Sequence, residues 1–178
     1  SPYGLYFYNS GTYDCKVANN YIVHEGSGTW YPIYAASVTN FSQFDYNAYY
    51  RIGTGTDQYY WNAVYYATLA DLQAGTTTVH DYSVYGNPYF ISQTDLHSRS
   101  HVGYQAAAPF AGVIDDIDGD LRDGLTPCIG ADEYPTPPPE NDLGMAAVRL
   151  GYATDKWARI ESAATHIVKI VVENTGLN

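Results

Sequence analysis

Two stretches downstream of the middle of the chain, residues 115–122 (DDIDGDLR) and residues 126–134 (TPCIGADEY), decide how the rest is interpreted. The first is typical of a tight polar turn, because Asp side chains accept hydrogen bonds from nearby backbone N–H groups and glycine adopts a positive φ without strain. We therefore expect a capped turn centred on Gly119.

The acidic residues of this turn raise the question of a calcium site. Asp116, Asp118 and Asp120 stand at the first, third and fifth positions of a loop. An EF-hand needs glycine at the sixth position and Glu at the twelfth, where this chain has Leu121 and Pro127. The pattern therefore fails that template. We predict no metal site and no cofactor, with calcium as the alternative to a solvated turn.

Upstream, residues 3–50 have the pattern of short strands broken by small polar turns. Leu5 and Phe7 alternate with Tyr6 and Tyr8, which is the period of a strand with one buried face. A second, similar unit follows at an offset of 27 residues, which relates Ser10 to Ser37, Val17 to Phe44 and Asn20 to Asn47.

Such a repeat is typical of a β-helix, in which each coil buries its inner face by stacking on the next. Asn suits the corner of a coil, because its side chain tolerates the left-handed backbone region and can form hydrogen bonds along the stack. An antiparallel sandwich built from two similar hairpins is the alternative.

The two stretches quoted first also resemble the closing signature of a large family of secreted bacterial proteins built on right-handed parallel β-helices of the pectate-lyase-like type. In that family an Asp-Ile-Asp-Gly turn precedes an Ile-Gly-Ala-(Asp/Tyr)-Glu-Tyr strand. The resemblance extends over residues 45–134 through three further elements, at residues 45–50 (DYNAYY), 86–90 (GNPYF) and 94–97 (TDLH). It departs at Cys128, where the family usually has Asp, and at residues 107–112, which match only loosely.

Between these elements, residues 67–73 predict one short helix. Thr68 is followed three residues later by Asp71, which is typical of a capping box at a helix start. The resemblance implies that this helix packs over the end of the coil.

Composition excludes several kinds of partner. The net charge of −11 repels phosphate backbones and anionic lipid surfaces, so we expect no nucleic-acid partner. No run of about 18 apolar residues is present to span a membrane. Twenty tyrosines and only 15% charged residues indicate a folded, mostly β protein.

A domain boundary is predicted after Tyr134. Residues 135–141 (PTPPPEN) favour an extended polyproline conformation and are interpreted as a linker. Residues 142–178 resemble the first strands of an immunoglobulin-like domain of the CARDB type. Since such a sandwich needs about seven strands, either the polypeptide continues past Asn178 or these strands complete another chain's sheet, a route to self-association.

Catalysis on a β-helix would be carbohydrate chemistry, either a polysaccharide lyase or a glycoside hydrolase. A lyase needs a cationic or imidazole base, for which Arg99 and His101 are candidates, although a polar surface turn explains them equally. A hydrolase needs two facing carboxylates, which the sequence alone does not place together. Those available are Asp14, Asp45, Asp57 and Asp81.

The densest run of aromatic residues is a candidate surface for carbohydrate, because aromatic faces stack on sugar rings. The alternative is that half of these rings form the core and the others stack along the coil as ladders. The run comprises Tyr46, Tyr49, Tyr50, Tyr59, Tyr60, Trp61, Tyr65 and Tyr66.

The two cysteines, Cys15 and Cys128, lack metal-ligand spacing and are interpreted as separate thiols, with a disulfide as the alternative.

Together these observations predict an all-β chain. Residues 1–134 are expected to form the C-terminal coils and cap of a right-handed parallel β-helix, followed by a linker and a partial β-sandwich. The expected function is that of a non-catalytic structural or adhesive module of a larger extracellular or cell-surface protein, with part of a filament as one form. We assign no catalytic residue. The carbohydrate-active enzyme is the alternative.

Overall fold

The computed structural model describes residues 1–8, 15–38 and 41–135. These residues form ten strands and one helix, so the predicted all-β class is confirmed for the described part of the chain. The elements are β1 Tyr3–Phe7, β2 Cys15–Ala18, β3 Tyr21–Glu25, β4 Gly28–Ala35, β5 Phe41–Asp45, β6 Ala48–Ile52, β7 Gly55–Asp57, β8 Tyr59–Trp61, β9 Val64–Tyr66, α1 Leu69–Gly75 and β10 Val84–Tyr85.

The strands pair mainly in parallel. β1, β4 and β8 form one run of neighbours, β3, β6 and β10 form a second, and β2 pairs with β5. The start of β4 also pairs in parallel with β7, whereas β9 folds back antiparallel on β8. Parallel neighbours need a crossover between them, so the chain passes through the other sheets before it returns to the same one.

The pairing confirms the 27-residue offset. Val17 lies opposite Phe44 in β2 and β5, and all five pairs between β3 and β6 have the same separation. The side chain of Asn20 donates to Asn47 Oδ1 at 2.9 Å, as expected for stacked corners. Antiparallel hairpins are wrong for these segments. Ser10, the partner suggested for Ser37, lies outside the described residues.

Glycine corners repeat at the same interval. Gly26 and Gly53 have positive φ, as do Gly28 and Gly55. A Cβ at Gly55 would lie 2.1 Å from the carbonyl oxygen of Gly28, so the stacked backbones leave no room for a side chain. Residues 26–28 (GSG) and 53–55 (GTG) are thus equivalent turns, which we did not predict.

The core lies between the sheets. Leu5 and Phe7 pack against it, while Tyr6 and Tyr8 are exposed, as the alternation in β1 predicts. Its buried members come from β2, β4, β5, β6, β8 and the helix: Val17, Ile33, Ala35, Phe44, Tyr49, Tyr59, Trp61, Leu69 and Leu72.

Helix α1 forms where the sequence predicts it. The Thr68 hydroxyl accepts from the Asp71 N–H, and the Asp71 carboxylate accepts from the Thr68 N–H, which completes the capping box. The helix is short, so its stability depends on the burial of Leu69 and Leu72 in the core.

Residues 86–135, called the closing segment below, contain no regular strand or helix. Side chains bind its backbone instead. Asp116 Oδ1 accepts from the N–H groups of Asp118 and Asp120, both at 2.9 Å, and Gly119 has φ 86°. The capped turn is therefore confirmed. The segment docks on the corner between β2 and β3 through Asn19, whose carbonyl accepts from the Gly130 N–H and whose side chain exchanges two hydrogen bonds with Ala108.

The predicted linker, apart from Pro135, and the predicted strands of residues 142–178 lie outside the described residues. In the described part of the chain, no helix combines the length and apolar character that crossing a lipid bilayer requires.

Candidate functional site

The outward side of β1, β4, β8 and β9 forms a surface that we call the tyrosine face. It consists of Tyr3, Tyr6, Tyr8, Tyr31, Tyr34, Tyr60 and Tyr65. Their rings form two columns along the stacking direction. Tyr34 stacks on Tyr6 at 5.1 Å and on Tyr60 at 4.4 Å, measured between ring centroids. Tyr3 stacks on Tyr31 at 5.3 Å, and Tyr65 contacts the end of both columns.

The four strands that carry this face contain no charged residue, although the whole chain has a net charge of −11. Burial among the neighbouring rings, together with the nearby phenols, raises the pKa of Tyr34 and of Tyr65. Both phenols therefore lose their proton less readily than a free tyrosine does. Tyr3, Tyr6, Tyr8 and Tyr65 remain 46–66% exposed, so the face is open to solvent.

The stacking also decides which parts of the rings are available. Tyr34 lies between two roughly parallel rings, so both of its faces are covered. A ligand would meet ring edges and hydroxyl groups over most of the surface. Tyrosine supplies rigid, amphipathic contact area at a low cost in side-chain entropy, which suits adhesion without a deep pocket.

The aromatic run suggested by the sequence divides between core and surface. Tyr49, Tyr59 and Trp61 are buried, whereas Tyr60 and Tyr65 belong to the tyrosine face. Two others stack elsewhere: Tyr46 on Tyr82, and Tyr50 beside Tyr85. Tyr66 packs partly against the core. The ladder interpretation is confirmed, but the face also contains five tyrosines that the run does not include.

A second candidate site lies in the closing segment. His97 Nε2 lies 2.5 Å from Asp118 Oδ2, and its Nδ1 contacts the carboxylate of Asp95. One ligand atom each from His97, Asp118 and Asp132 lies within 4.8 Å of the others. We call these four residues the histidine–aspartate cluster. Its members come from three separate loops, which explains why sequence spacing does not reveal it.

The opposite charges of the histidine–aspartate cluster shift the pKa values of its members. Hydrogen bonds from the His97 ring to the carboxylates of Asp95 and Asp118 raise the pKa of His97 to about 9. The His97 ring, followed by its backbone N–H, lowers the pKa of Asp95. Asp132 differs, since burial raises its pKa despite a hydrogen bond from the Ser98 N–H at 3.0 Å. The cluster thus combines a partly exposed imidazole with one buried carboxylate.

Asp116, Asp118 and Asp120, the residues of the calcium alternative, have different partners in the structure. Both Asp116 oxygens accept backbone N–H groups, with Oδ2 bound by Glu133 at 2.9 Å. Asp118 belongs to the histidine–aspartate cluster, and Asp120 is exposed. The three acids therefore do not form one ligand set among the described residues.

The described residues considered for catalysis differ in burial and in their partners. Arg99 and His101 are exposed in a turn whose serines, Ser98 and Ser100, are buried. The Asp57 carboxylate binds Arg51 at 2.5 Å. Asp45 is buried and accepts from the Tyr82 N–H at 2.8 Å. Asp81 is exposed, and Asp14 lies outside the described residues.

The cysteines are both free thiols, so the interpretation as separate thiols is confirmed. Cys128 is buried, and burial is the main reason that its pKa is raised. It does not contribute to either candidate site.

Comparison of the chain with models of known families, with curated proteins and with solved structures finds no match.

Proposed function

We propose that this chain is a non-catalytic parallel β-helix module of an extracellular or cell-surface protein, which adheres to neutral carbohydrate through its tyrosine face. The observation that carries the proposal is an uncharged surface of seven tyrosines on a scaffold of parallel strands.

The β-helix part of the proposal is supported by the register. Separations of 26 to 28 residues recur between β1 and β4, between β2 and β5, and between β3 and β6. Stacked Asn and Gly corners occur at the same interval. The likeness of residues 115–134 to the closing signature of secreted β-helix proteins supports the extracellular setting.

The adhesive part is supported by charge and exposure. Exposed apolar patches usually mark interaction sites, and amphipathic tyrosines are enriched where one end of the ring must remain wet. Anionic polymers would be repelled by the net charge of −11, whereas neutral carbohydrate would not. The outward hydroxyl groups offer hydrogen bonds to sugar hydroxyls.

The test is retention of the full chain on insoluble cellulose, chitin and starch, with pectate as the anionic comparison. We expect retention on at least one neutral polymer and none on pectate. The double variant Y6T/Y65T, in which the introduced threonines still favour strands, should bind about tenfold more weakly or worse. Tyr89→Ala is the control, because Tyr89 is exposed outside the face. Equal binding by the double variant and the control would contradict the proposal.

A turnover assay on the same polymers tests the enzymatic alternative. We expect no release of product. Turnover that is lost in Arg99→Ala or His101→Ala would overturn the non-catalytic proposal.

A further inference from the structure

The histidine–aspartate cluster has the ligands of a transition-metal site. We propose that His97 Nε2, Asp118 and Asp132 bind one divalent ion of the zinc class, and that the ion fastens the closing segment. This inference is independent of the tyrosine face.

The donor set favours such an ion over calcium. Zinc sites use imidazole nitrogen and carboxylate oxygen in tetrahedral arrangements, often with three protein ligands and one open position. Calcium takes six to eight oxygen ligands. Here one imidazole and two carboxylates converge within 4.8 Å. Ligand atoms around a tetrahedral zinc ion lie about 3.3 Å apart, given bonds of about 2.0 Å. Small side-chain rotations would therefore bring the ligand atoms of His97, Asp118 and Asp132 to the spacing that a tetrahedral zinc ion requires.

The residue behind the imidazole supports the same interpretation. The Asp95 carboxylate contacts His97 Nδ1. A histidine that ligates a metal almost always donates its other ring N–H to a carboxylate or carbonyl, which fixes the tautomer and the orientation of the ring. Asp95 therefore directs His97 Nε2 toward the two other carboxylates.

The backbone also holds the ligand loops in register. The Ile117 N–H donates to the Ala131 carbonyl at 2.9 Å, so the residues just before Asp118 and Asp132 are joined. The Glu133 N–H donates to Asp116 Oδ2 at 2.9 Å, which joins the same two loops a second time. Asp132 is itself positioned by the Ser98 N–H. The site is thus largely formed before an ion binds.

One side of the cluster is open. The side chains of His97 and Asp118 are 39% and 53% exposed, while Asp132 is buried beneath them. An ion can enter from solvent and keep a water molecule as its fourth ligand. The ion would join residues 97, 118 and 132, so it should stabilise the closing segment more than the coils.

The direct test is Zn²⁺ titration of the full chain, previously treated with chelator, by calorimetry, followed by Co²⁺ titration with visible absorption. We expect one ion per chain and the absorption typical of tetrahedral Co²⁺. His97→Gln and Asp118→Asn should each weaken binding at least 100-fold, and Asp95→Asn should weaken it about 10- to 100-fold. Asp120→Asn, an exposed acid two residues from Asp118, should bind as the unmodified chain does.

Circular dichroism of each metal-free variant separates loss of ligands from loss of the fold. Hydrogen exchange should slow at residues 95–99 and 116–133 when Zn²⁺ is added. The proposal is overturned if Zn²⁺ does not bind, if folded His97→Gln binds it equally well, or if Ca²⁺ binds in preference and depends on Asp120.

Discussion

The strand-bearing part of the molecule, within residues 3–85, and the closing segment, residues 86–135, are stabilised by different kinds of interaction. In the first, backbone pairs repeat at a nearly constant register around an aromatic core. In the second, Asp116, Asp123 and Ser98 side chains bind backbone groups directly. Burial is cooperative across the strand-bearing part, whereas each side-chain bond in the closing segment acts locally. We therefore expect the strand-bearing part to determine global stability and the closing segment to open by itself.

The largest expected effect comes from removing a central core ring. Phe44 contacts the rings of Phe41, Trp61 and His80, and it is fully buried. Phe44→Ala should lower the free energy of unfolding by about 3–5 kcal/mol, because it removes apolar contact and leaves a cavity. Ile117→Ala, at an exposed position of the closing segment, should change it by less than about 1 kcal/mol. Urea unfolding measures both changes in the free energy of unfolding. Similar losses in the two variants would contradict the view that the strand-bearing part determines global stability.

Acid should lower the stability of the strand-bearing part through a buried histidine. Burial lowers the pKa of His80 to about 4, from an ordinary value of 6.5. Neither ring nitrogen has a hydrogen-bond partner among the described residues. Below pH 6.5 His80 is protonated in the unfolded chain, whereas in the folded chain it stays neutral until about pH 4. Stability should therefore fall across that window, by on the order of 3 kcal/mol, and then level off.

His80→Asn provides the comparison for this pH effect, because Asn tolerates the positive φ of 63° at this position. The variant should be less stable at neutral pH but should lack the extra acid sensitivity between pH 6.5 and pH 4. If the two chains lose stability in parallel over this range, His80 is not the responsible group.

The stacked corner formed by Asn20 and Asn47 should contribute less to the free energy of unfolding than Phe44 or His80 does. Asn47 is buried and donates to the carbonyls of Val17 at 2.9 Å and Asp45 at 3.1 Å, while it accepts from Asn20. Asn47→Ala leaves these groups unpaired in the interior, so it should cost about 2 kcal/mol in chemical unfolding. Asn20→Ala, at the exposed end of the pair, should cost less than half of that. The reverse order would contradict the stacked-corner account.

The smallest global effect is expected at the cap of the closing turn. Asp116→Asn removes one carboxylate oxygen from a group that accepts three backbone N–H bonds. Amide exchange should accelerate at Asp118, Asp120 and Glu133, with a global loss of only about 1 kcal/mol. Exchange in β3 and β6 should be unchanged, and Asp120→Asn is the matched control. Faster exchange throughout the strand-bearing part would show that the two regions unfold together.

The features that the sequence predicts correctly are those with local signals. The alternation in β1, the capping box of α1, the capped turn at Gly119 and the 27-residue offset all depend on residues close in sequence or on a regular interval. Each has a geometric consequence that does not require knowledge of the rest of the fold.

The tyrosine face is harder to predict because the residue separation between paired strands changes within its own sheet. Tyr6 pairs with Tyr34 at a separation of 28 residues, and Tyr34 pairs with Tyr60 at 26. A uniform offset of 27 would place Tyr6 opposite Ile33, which is buried. A slip of one residue exchanges the two faces of a strand, so the extent of the face depends on loop lengths that periodicity does not give.

The histidine–aspartate cluster is not predicted for a similar reason. His97 and Asp118 are 21 residues apart, and only the folded loops of the closing segment bring them to 2.5 Å. The sequence pattern directs attention to the spacing of Asp116, Asp118 and Asp120 instead. That spacing forms the turn, while the ligand geometry involves a histidine and an acid from other loops.

Parallel stacking of strands is the claim on which both the scaffold and the tyrosine face depend, and backbone NOEs in solution test it most directly. We predict contacts between β3 and β6 whose residue numbers differ by 27, including Ile22 with Tyr49 and Val23 with Tyr50. Contacts in which the residue numbers of the two strands add up to a constant, the mark of antiparallel pairing, would contradict the account.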